Sequence, residues 1–584
     1  MSDSATSSNN SSRKYSLSSS ISENTCGFNE NDNSEDNTND KSNELTLNNS
    51  ENFKNEKSSV SGLNCQVDSF VDKTNLEETQ VIEVLHDHLK MIFGEEQFKT
   101  LHIGLFKLNY AAPYLKSLSD KHIDEFETES IKFAKVISHI HKKAASAIPC
   151  INKPAELFNH LTKFKKLHIG YVSSDFNNHV VMDFSMPLIH NFDSSRFNVY
   201  LYSTCKEERE DVDTTKCIKE VGIEYFRRCY GKSAQECASM IQADNIHILV
   251  DLTGWSGRSR LDIFCLRPAP VQVTYLGYCN TTGLNSENGM DYRLVDAFTD
   301  LKSIDNSLTN TSEGLWRLPK EMCFLGRDPK KCRFNGQYFE CPAHHRYTTP
   351  ALKHPKKTFT FGSFNNILKV NQAVVRVWTE ILNRVPNSRL VIKSLQTLKE
   401  HCSSSTSLKE ITHTNEITKV EFTKQQQARI RKMFELSGLI NPECRIVFLD
   451  HESRIAHLLS YDDIDLSLDT FPYGGTSTTA DSLLCSVPVV TYCPVNSVHA
   501  TRVTGSILYR LGEEVTSKLI ATNLSDYIDK VVTLANDLKG LNDLRNMIQP
   551  LFLASCVCQP AVFIRKLEKE YEKMWQLYTD KQNL

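Results

Sequence analysis

The chain of 584 residues reads as an α/β protein built from two Rossmann-like lobes facing a cleft. Three observations predict this. From about Lys165 onward, short apolar runs alternate with helical stretches, the pattern of parallel sheets covered by helices on both faces. The runs fall into two sets, separated by an irregular segment from about Leu301 to His354 that is rich in Pro, Cys and charge. Finally, the stretch IDLSLDTFPYGGTSTTADSLLCSVPVVTY, from Ile464 to Tyr492, reads as one βαβ unit with a glycine-broken turn inside it.

Composition sets the outer bounds. A chain this long holds two or three domains. A net charge of −4 and a pI near 6.6 provide no general attraction to nucleic acid or anionic membrane. The 18 cysteines are scattered and form no CxxC set; Cys556-Val557-Cys558 has a spacing that suits neither a zinc knuckle nor a redox pair. Reduced thiols in a cytosolic or nuclear protein are expected. There is no apolar leader and no run long enough to span a bilayer, so the expectation is a soluble, unsecreted chain.

Residues 1–77 are dominated by Ser, Asn, Asp, Glu and Thr and are expected to form a disordered tail, because they bury too little apolar surface to offset their ordering entropy. Residues 78–157 carry apolar positions at spacings of three and four (Val81, Val84, Leu85, Leu89, Ile92, then Ile123 to Ile140) and read as a helical linker or remnant repeat. No second copy at a fixed period accompanies them. The first lobe, with its connector, is placed at 158–345, with strands at Leu167–Val172, Phe197–Tyr202, Ile246–Leu252 and Val271–Leu276. The second lobe, 346–584, has strands at Phe359–Gly362, Ser388–Ile392, Cys444–Leu449, Ile464–Leu468 and Val487–Tyr492, and ends on a helix from Ala561 to Leu577.

Ligands of open parallel sheets bind beyond the carboxyl ends of the strands, which directs attention to the loops found there. Gly474-Gly475 lets backbone approach a ligand. Thr476, Ser477, Thr478 and Thr479 then cap and open a helix, whose free N–H groups and positive dipole end seat an anion such as a diphosphate. No Lys-Ser or Lys-Thr pair follows, so this is not a Walker-type loop. His179 in GYVSSDFNNH lies just past the first strand of lobe one, where an imidazole can act as general base or serve as a hydrogen-bonding spectator. Lys369 in TFGSFNNILKVN follows the first strand of lobe two and can neutralise a phosphate or simply be a solvated charge. Arg454 and His457 stand three apart on one helical face, and His499 and Arg502 follow the last strand. Asp463-Ile464-Asp465 resembles a metal-binding DxD. Strand alternation would point both carboxylates the same way, but the run enters the strand before the phosphate loop and is read as structural.

GYVSSDFNNH, LRPAPVQVTYLGYCNTTG, MDYRLVD, TFGSFNNILKVN, VPNSRLV, SLDTFPYGGTSTTADSL and SVHATRV follow one another from Gly170 to Val503. This ordered set resembles the catalytic region of the nucleocytoplasmic protein O-glycosyltransferases, the family of O-linked N-acetylglucosamine transferase and SPINDLY. The likeness continues upstream in LNYAAPY and downstream in KLEKEYEKMWQLY. The resemblance implies a GT-B fold and inverting, metal-independent transfer from a nucleotide diphosphate sugar to Ser or Thr hydroxyls. Carried over by position, it makes His179 the base or substrate-positioning group and Lys369 the cation on the leaving diphosphate. Thr476 to Thr479 become the phosphate-holding helix start, Asp481 the ribose-binding acid and His457 the residue against the base. Arg454 falls where the mammalian-type enzymes carry lysine, and His499 and Arg502 are counted with the donor site.

DTFPY, the threonine-rich loop, SVH and the short connector resemble SPINDLY, which implies O-fucosyl transfer from GDP-fucose. Ala500-Thr501-Arg502-Val503 and Asp481, which stands where a SPINDLY glutamate is expected, lean toward transfer from UDP-N-acetylglucosamine; Cys279 replaces a proline common in the family. Neither metal nor other cofactor is expected. The expected partners are acceptor proteins presenting Ser/Thr segments, in cytoplasm or nucleus, with no nucleic acid and no membrane. A non-catalytic nucleotide-sugar-binding regulator and transfer to asparagine remain as alternatives.

Overall fold

A computed structural model describes residues 138, 141–151, 155–256, 259–303, 311–329, 332–334, 337–339, 349–354, 357–393, 424, 426–450 and 454–582. The expected tail at 1–77, and all but the end of the expected helical region at 78–157, lie outside the described residues.

Two parallel sheets organise the chain. The first has seven strands: β1 (Leu167–Ser173), β2 (Phe197–Ser203), β3 (Phe226–Arg228), β4 (Ile248–Asp251), β5 (Val271–Thr274), β6 (Tyr292–Val295) and β7 (Gly314–Arg317), in the order β3-β2-β1-β4-β5-β6-β7. After a short antiparallel pair, β8 (Cys332–Phe334) with β9 (Gln337–Phe339), the second sheet begins. It contains β10 (Phe359–Ser363), β11 (Ser388–Lys393), β12 (Ile446–Leu449), β13 (Leu466–Leu468), β14 (Val489–Tyr492) and β15 (Ile520–Ala521), in the order β12-β11-β10-β13-β14-β15. The strand order thus reverses twice, once beside β1 and once beside β10. β1 pairs with β2 on one edge (Leu167↔Phe197) and β4 on the other (Ile169↔Ile248). β10 likewise lies between β11 (Phe359↔Ser388) and β13 (Phe361↔Leu466). In such sheets the switch point opens a crevice at the carboxyl ends of the strands.

The central strands are apolar because both faces are covered: Ile248-Leu249-Val250 and Val489-Val490 are buried throughout. In lobe two the helix Gln372–Arg384 is stapled at its start by Asn371, whose side chain accepts from the Val374 N–H. It then buries Val374, Val377, Trp378 and Ile381 on one face.

Two features depart from expectation. The segment read as an irregular connector contains β7, which extends the first sheet by pairing with β6 (Tyr292↔Gly314). Its half-exposed Gly-Leu-Trp-Arg sequence lacks the alternation that marks a strand, since it is an edge. The terminal helix, Pro560–Gln582, follows lobe two in sequence but packs on lobe one. Phe563, Ile564, Leu567, Tyr571 and Met574 join the core around Ile169, Tyr171 and Val273. Polar ties fix its register: Glu568 accepts from the Asp193 N–H at 2.7 Å, Glu570 accepts from Trp316 Nε1 at 3.1 Å, and the Tyr171 and Tyr571 hydroxyls meet at 3.3 Å.

Candidate active site

Four helices set the stage: α1 (Met182–His190), α2 (Arg454–Leu459), α3 (Ser477–Leu484) and α4 (His499–Tyr509). The turn after β10 and the loop between β13 and α3 meet at the second switch point. Lys369 is buried there. Its ammonium donates to the Gly474 carbonyl at 2.7 Å and to Asn365 Oδ1 at 3.4 Å, and sits 4.4 Å over the Tyr473 ring. Asn365 Oδ1 also accepts from the Thr478 hydroxyl at 3.1 Å. One amide oxygen therefore ties the lysine to the tip of α3. Burial pulls the Lys369 pKa down from 10.5 to about 8, against the pull of the neighbouring Asp469 carboxylate.

Asp469 holds the loop in shape. Its Oδ1 accepts from the N–H groups of Gly475 (2.8 Å) and Thr470 (3.0 Å) and from Asn365 Nδ2 (3.3 Å), and its Oδ2 accepts from Thr491 Oγ1 at 2.8 Å. Burial raises its pKa, and these hydrogen bonds and Lys369 work against the rise. Gly475 is required by proximity: a Cβ there would stand 2.7 Å from Thr478 Oγ1 and 2.8 Å from Thr479 Oγ1. Thr479 Oγ1 lies 3.1 Å from Thr504 Oγ1, whose hydroxyl donates to the Gly475 carbonyl at 2.7 Å. The hydroxyls do not cap α3, contrary to expectation: Thr476 is the N-cap residue but makes no side-chain cap bond. Thr476, Ser477 and Thr478 are half-buried at the crevice surface. The first N–H groups of a helix have no carbonyl one turn back, so the tip of α3 offers donors beside a cation.

A second cluster lies further along α3. Asp481 is fully buried, and both its oxygens are taken by guanidiniums: Arg327 Nη1 donates at 2.8 Å, and Arg454 donates through Nη2 at 2.6 Å and through Nη1. Arg454 Nη2 also donates to Asp183 Oδ2 of lobe-one helix α1 at 3.3 Å, and Arg327 Nη2 lies 3.8 Å from the same oxygen. Two carboxylates and two guanidiniums thus alternate across the lobes. Burial would raise the Asp481 pKa; Arg454 and Arg327 overturn this and hold it well below the usual carboxylate range. In this arrangement Asp481 presents no oxygen to a ribose. His457 reaches only to 3.7 Å from Asp481 and is enclosed by Phe364 and Tyr461, with ring centroids at 5.6 and 5.5 Å. It is fully buried and shows no face to the crevice, so the expected stacking on a base requires Phe364 or Tyr461 to move.

The remaining candidates sit apart. His179 follows β1, is 45% exposed, and holds Nδ1 at 3.6 Å from Asp175 Oδ2. His499 opens α4 and binds Asp300 of lobe one through Nδ1 at 2.6 Å. Arg502 is buried and structural: it donates to the Phe298 carbonyl at 2.8 Å and the Pro494 carbonyl at 2.7 Å, and its guanidinium covers the Phe298 ring. Its charge is spent on joining the lobes. The acidic pair before β13 does not act together. Asp463 ends a 3₁₀ turn and binds Lys357 at 2.6 Å, whereas buried Asp465 accepts from the Ala351 and Thr360 N–H groups at 2.9 and 2.8 Å.

Sequence reasoning missed Asn365, Asp469, Arg327 and Asp183. Asp469 did leave a signal, as a carboxylate closing an apolar run just before two glycines. Arg327 left none, being 154 positions from Asp481.

Two parallel α/β sheets, each with its own switch point, give the chain a GT-B fold. The profile of glycosyl transferase family 41 matches residues 128–330 and 407–567, and the chain belongs to that family. It is 35% identical over 421 residues to a Solanum lycopersicum protein named probable UDP-N-acetylglucosamine–peptide N-acetylglucosaminyltransferase SPINDLY, covering 71% of this chain and 39% of that one. The Arabidopsis thaliana protein of the same name is 36% identical over 419 residues, covering 71% and 40%. The chain therefore spans about two fifths of the length of these relatives. Among solved structures, an O-GlcNAc transferase mutant from Thermobaculum terrenum superposes with a TM-score of 0.64 at 25% identity, covering 86% of this chain and 82% of that one.

Proposed function

We propose that this chain is a protein O-glycosyltransferase that moves a sugar from a nucleotide diphosphate sugar to Ser or Thr hydroxyls of intracellular proteins, with inversion and without a metal. O-fucosyl transfer from GDP-fucose is the leading chemistry. The observation that carries the reading is the buried Lys369 ammonium, tied through Asn365 to the first turn of α3. When an acceptor hydroxyl attacks the anomeric carbon, the bond to the diphosphate breaks and negative charge grows on the departing oxygen. A preorganised cation and helix tip stabilise that charge without a metal. The hydroxyl proton needs an acceptor, and the exposed His179, beyond the end of β1, is the candidate.

A second reading keeps the reaction and changes the donor. The names of the SPINDLY relatives specify UDP-N-acetylglucosamine, which favours N-acetylglucosaminyl transfer. A non-catalytic regulator would bind a donor without turnover. One experiment separates all three: incubation of the full chain with each donor and a cell extract of acceptors, followed by mass spectrometry of Ser/Thr peptides. A deoxyhexose adduct supports fucose and an N-acetylhexosamine adduct supports the second reading. Donor binding with no adduct from either sugar leaves only the regulator.

A further inference from the structure

Between the lobes, beside the lysine site, lies a small cavity walled by Thr274, Tyr278, Cys279, Arg293, Phe324 and His499. Cys279 and His499 from this wall, with Asp300 behind the imidazole, form an arrangement separate from Lys369, the tip of α3 and His179. His499 is oriented by Asp300, with Nδ1 2.6 Å from Oδ2, and the Cys279 side chain lines the same small cavity as the imidazole. A thiol, a base and a carboxylate that orients the base are the parts of an activated sulfur nucleophile. Arg293 adds a cation: it is 4% exposed, lines the cavity and has a buried Nη2 with no hydrogen-bond partner. An unpaired guanidinium nitrogen next to a thiol is a waiting partner for an anionic oxygen.

We infer that Cys279 is a peroxide-reactive thiol, and that the cavity is a modification site in which Arg293 and His499 hold the oxygen added to sulfur. The sulfur attacks one oxygen of a hydroperoxide, forming an S–O bond as the O–O bond breaks. With hydrogen peroxide the products are cysteine sulfenic acid and water: sulfur is oxidised, peroxide is reduced, and the thiol proton leaves on the departing hydroxide. A small thiol reverses the step by forming and then exchanging a mixed disulfide. The environment agrees with this chemistry. Although burial acts to raise the Cys279 pKa, His499, Tyr473 and Arg293 together lower it; burial and Arg293 act to lower the His499 pKa, and Asp300 and Cys279 outweigh them and raise it. By contrast, burial pushes the pKa of Cys323 and Cys493 up, and neither has an imidazole partner among the described residues. Because Cys279 is an electrostatic neighbour of Lys369, an added oxygen there also acts on the diphosphate seat. That consequence rests on the proposed transferase reading; the thiol chemistry does not.

The test is brief exposure of the full chain to limiting hydrogen peroxide, with sulfenic acid trapped by dimedone and occupancy at each cysteine read by peptide mass spectrometry. Cys279 should be trapped at least tenfold faster than Cys323 or Cys493. His499→Gln and Asp300→Asn should each slow it at least fivefold, with unchanged melting temperature certifying the fold. Equal trapping of Cys279 and the other buried thiols in the wild-type chain overturns the inference whether or not either variant folds. So does a Cys279 rate unchanged in a folded His499→Gln chain. Donor binding after oxidation is read separately by calorimetry with GDP and UDP, so a failure of the transferase reading leaves the trapping result standing.

Discussion

Replacing Lys369 by methionine keeps the aliphatic stem and removes the ammonium, which makes it the cleanest probe of the diphosphate seat. In the folded chain the ammonium contacts the Gly474 carbonyl at 2.7 Å, in the loop that begins α3, and Asn365 Oδ1 at 3.4 Å, in the turn after β10. Removing one preorganised electrostatic donor costs about 3–4 kcal/mol of barrier, which corresponds to roughly a hundred- to thousandfold in kcat. Stability should move little. Burial has brought the lysine pKa from 10.5 to about 8, so the charged form carries a penalty of about 3 kcal/mol in the native chain. Losing that penalty offsets the lost hydrogen bonds, each worth about 1.5–3 kcal/mol for a charged group. The assay is single-turnover transfer with the preferred donor, paired with thermal melting of the same sample. A fall of less than tenfold in rate would refute the assigned role. A large rate loss accompanied by a collapse in melting temperature would assign Lys369 to the fold instead.

Other consequences are equally direct. Donor kcat/KM should decline above about pH 8 as unliganded Lys369 loses its proton, and Lys369→Arg should remove that inflection; a flat profile to pH 9 argues against it. Stability runs the opposite way in the same window: between about pH 8 and 10.5 the unfolded chain binds the proton that the native lysine has released, so this residue's contribution rises with pH. Asp481→Asn strands two guanidiniums, one of them almost wholly buried, and should cost about 3–5 kcal/mol in urea unfolding. The Asp481 pKa is depressed, so its contribution is present above the ordinary carboxylate pKa and disappears as pH falls through the native value. Phe563→Ala should cost about 3–5 kcal/mol and loosen lobe one rather than lobe two, read as faster amide exchange in β1 and β5.

Much of this architecture was legible before any coordinates. The apolar runs Leu167–Val172, Phe359–Gly362 and Val487–Tyr492 coincide with strands because central strands of parallel sheets are buried on both faces and so tolerate little polarity. The strands that escaped notice are short: β3 is Phe-Arg-Arg, β6 and β7 have four residues each, β8 and β9 three, and β15 two. Their identity as strands comes from pairing with a neighbour already in place, a property no local window contains.

The linear order of residues determined the two-lobed α/β class and the glycine-and-threonine loop, because turn chemistry and strand periodicity act over a few positions. Folding alone decided what faces what. It brought Asn365 and Asp469 to the lysine, closed Arg327 and Asp183 around Asp481, sealed His457 behind aromatic rings, spent Arg502 on the Phe298 carbonyl, and returned the last helix to lobe one. The physical reason is range: a buried charge must find its partners wherever the chain supplies them, and here Arg327 stands 154 positions from Asp481 and Gly474 stands 105 from Lys369.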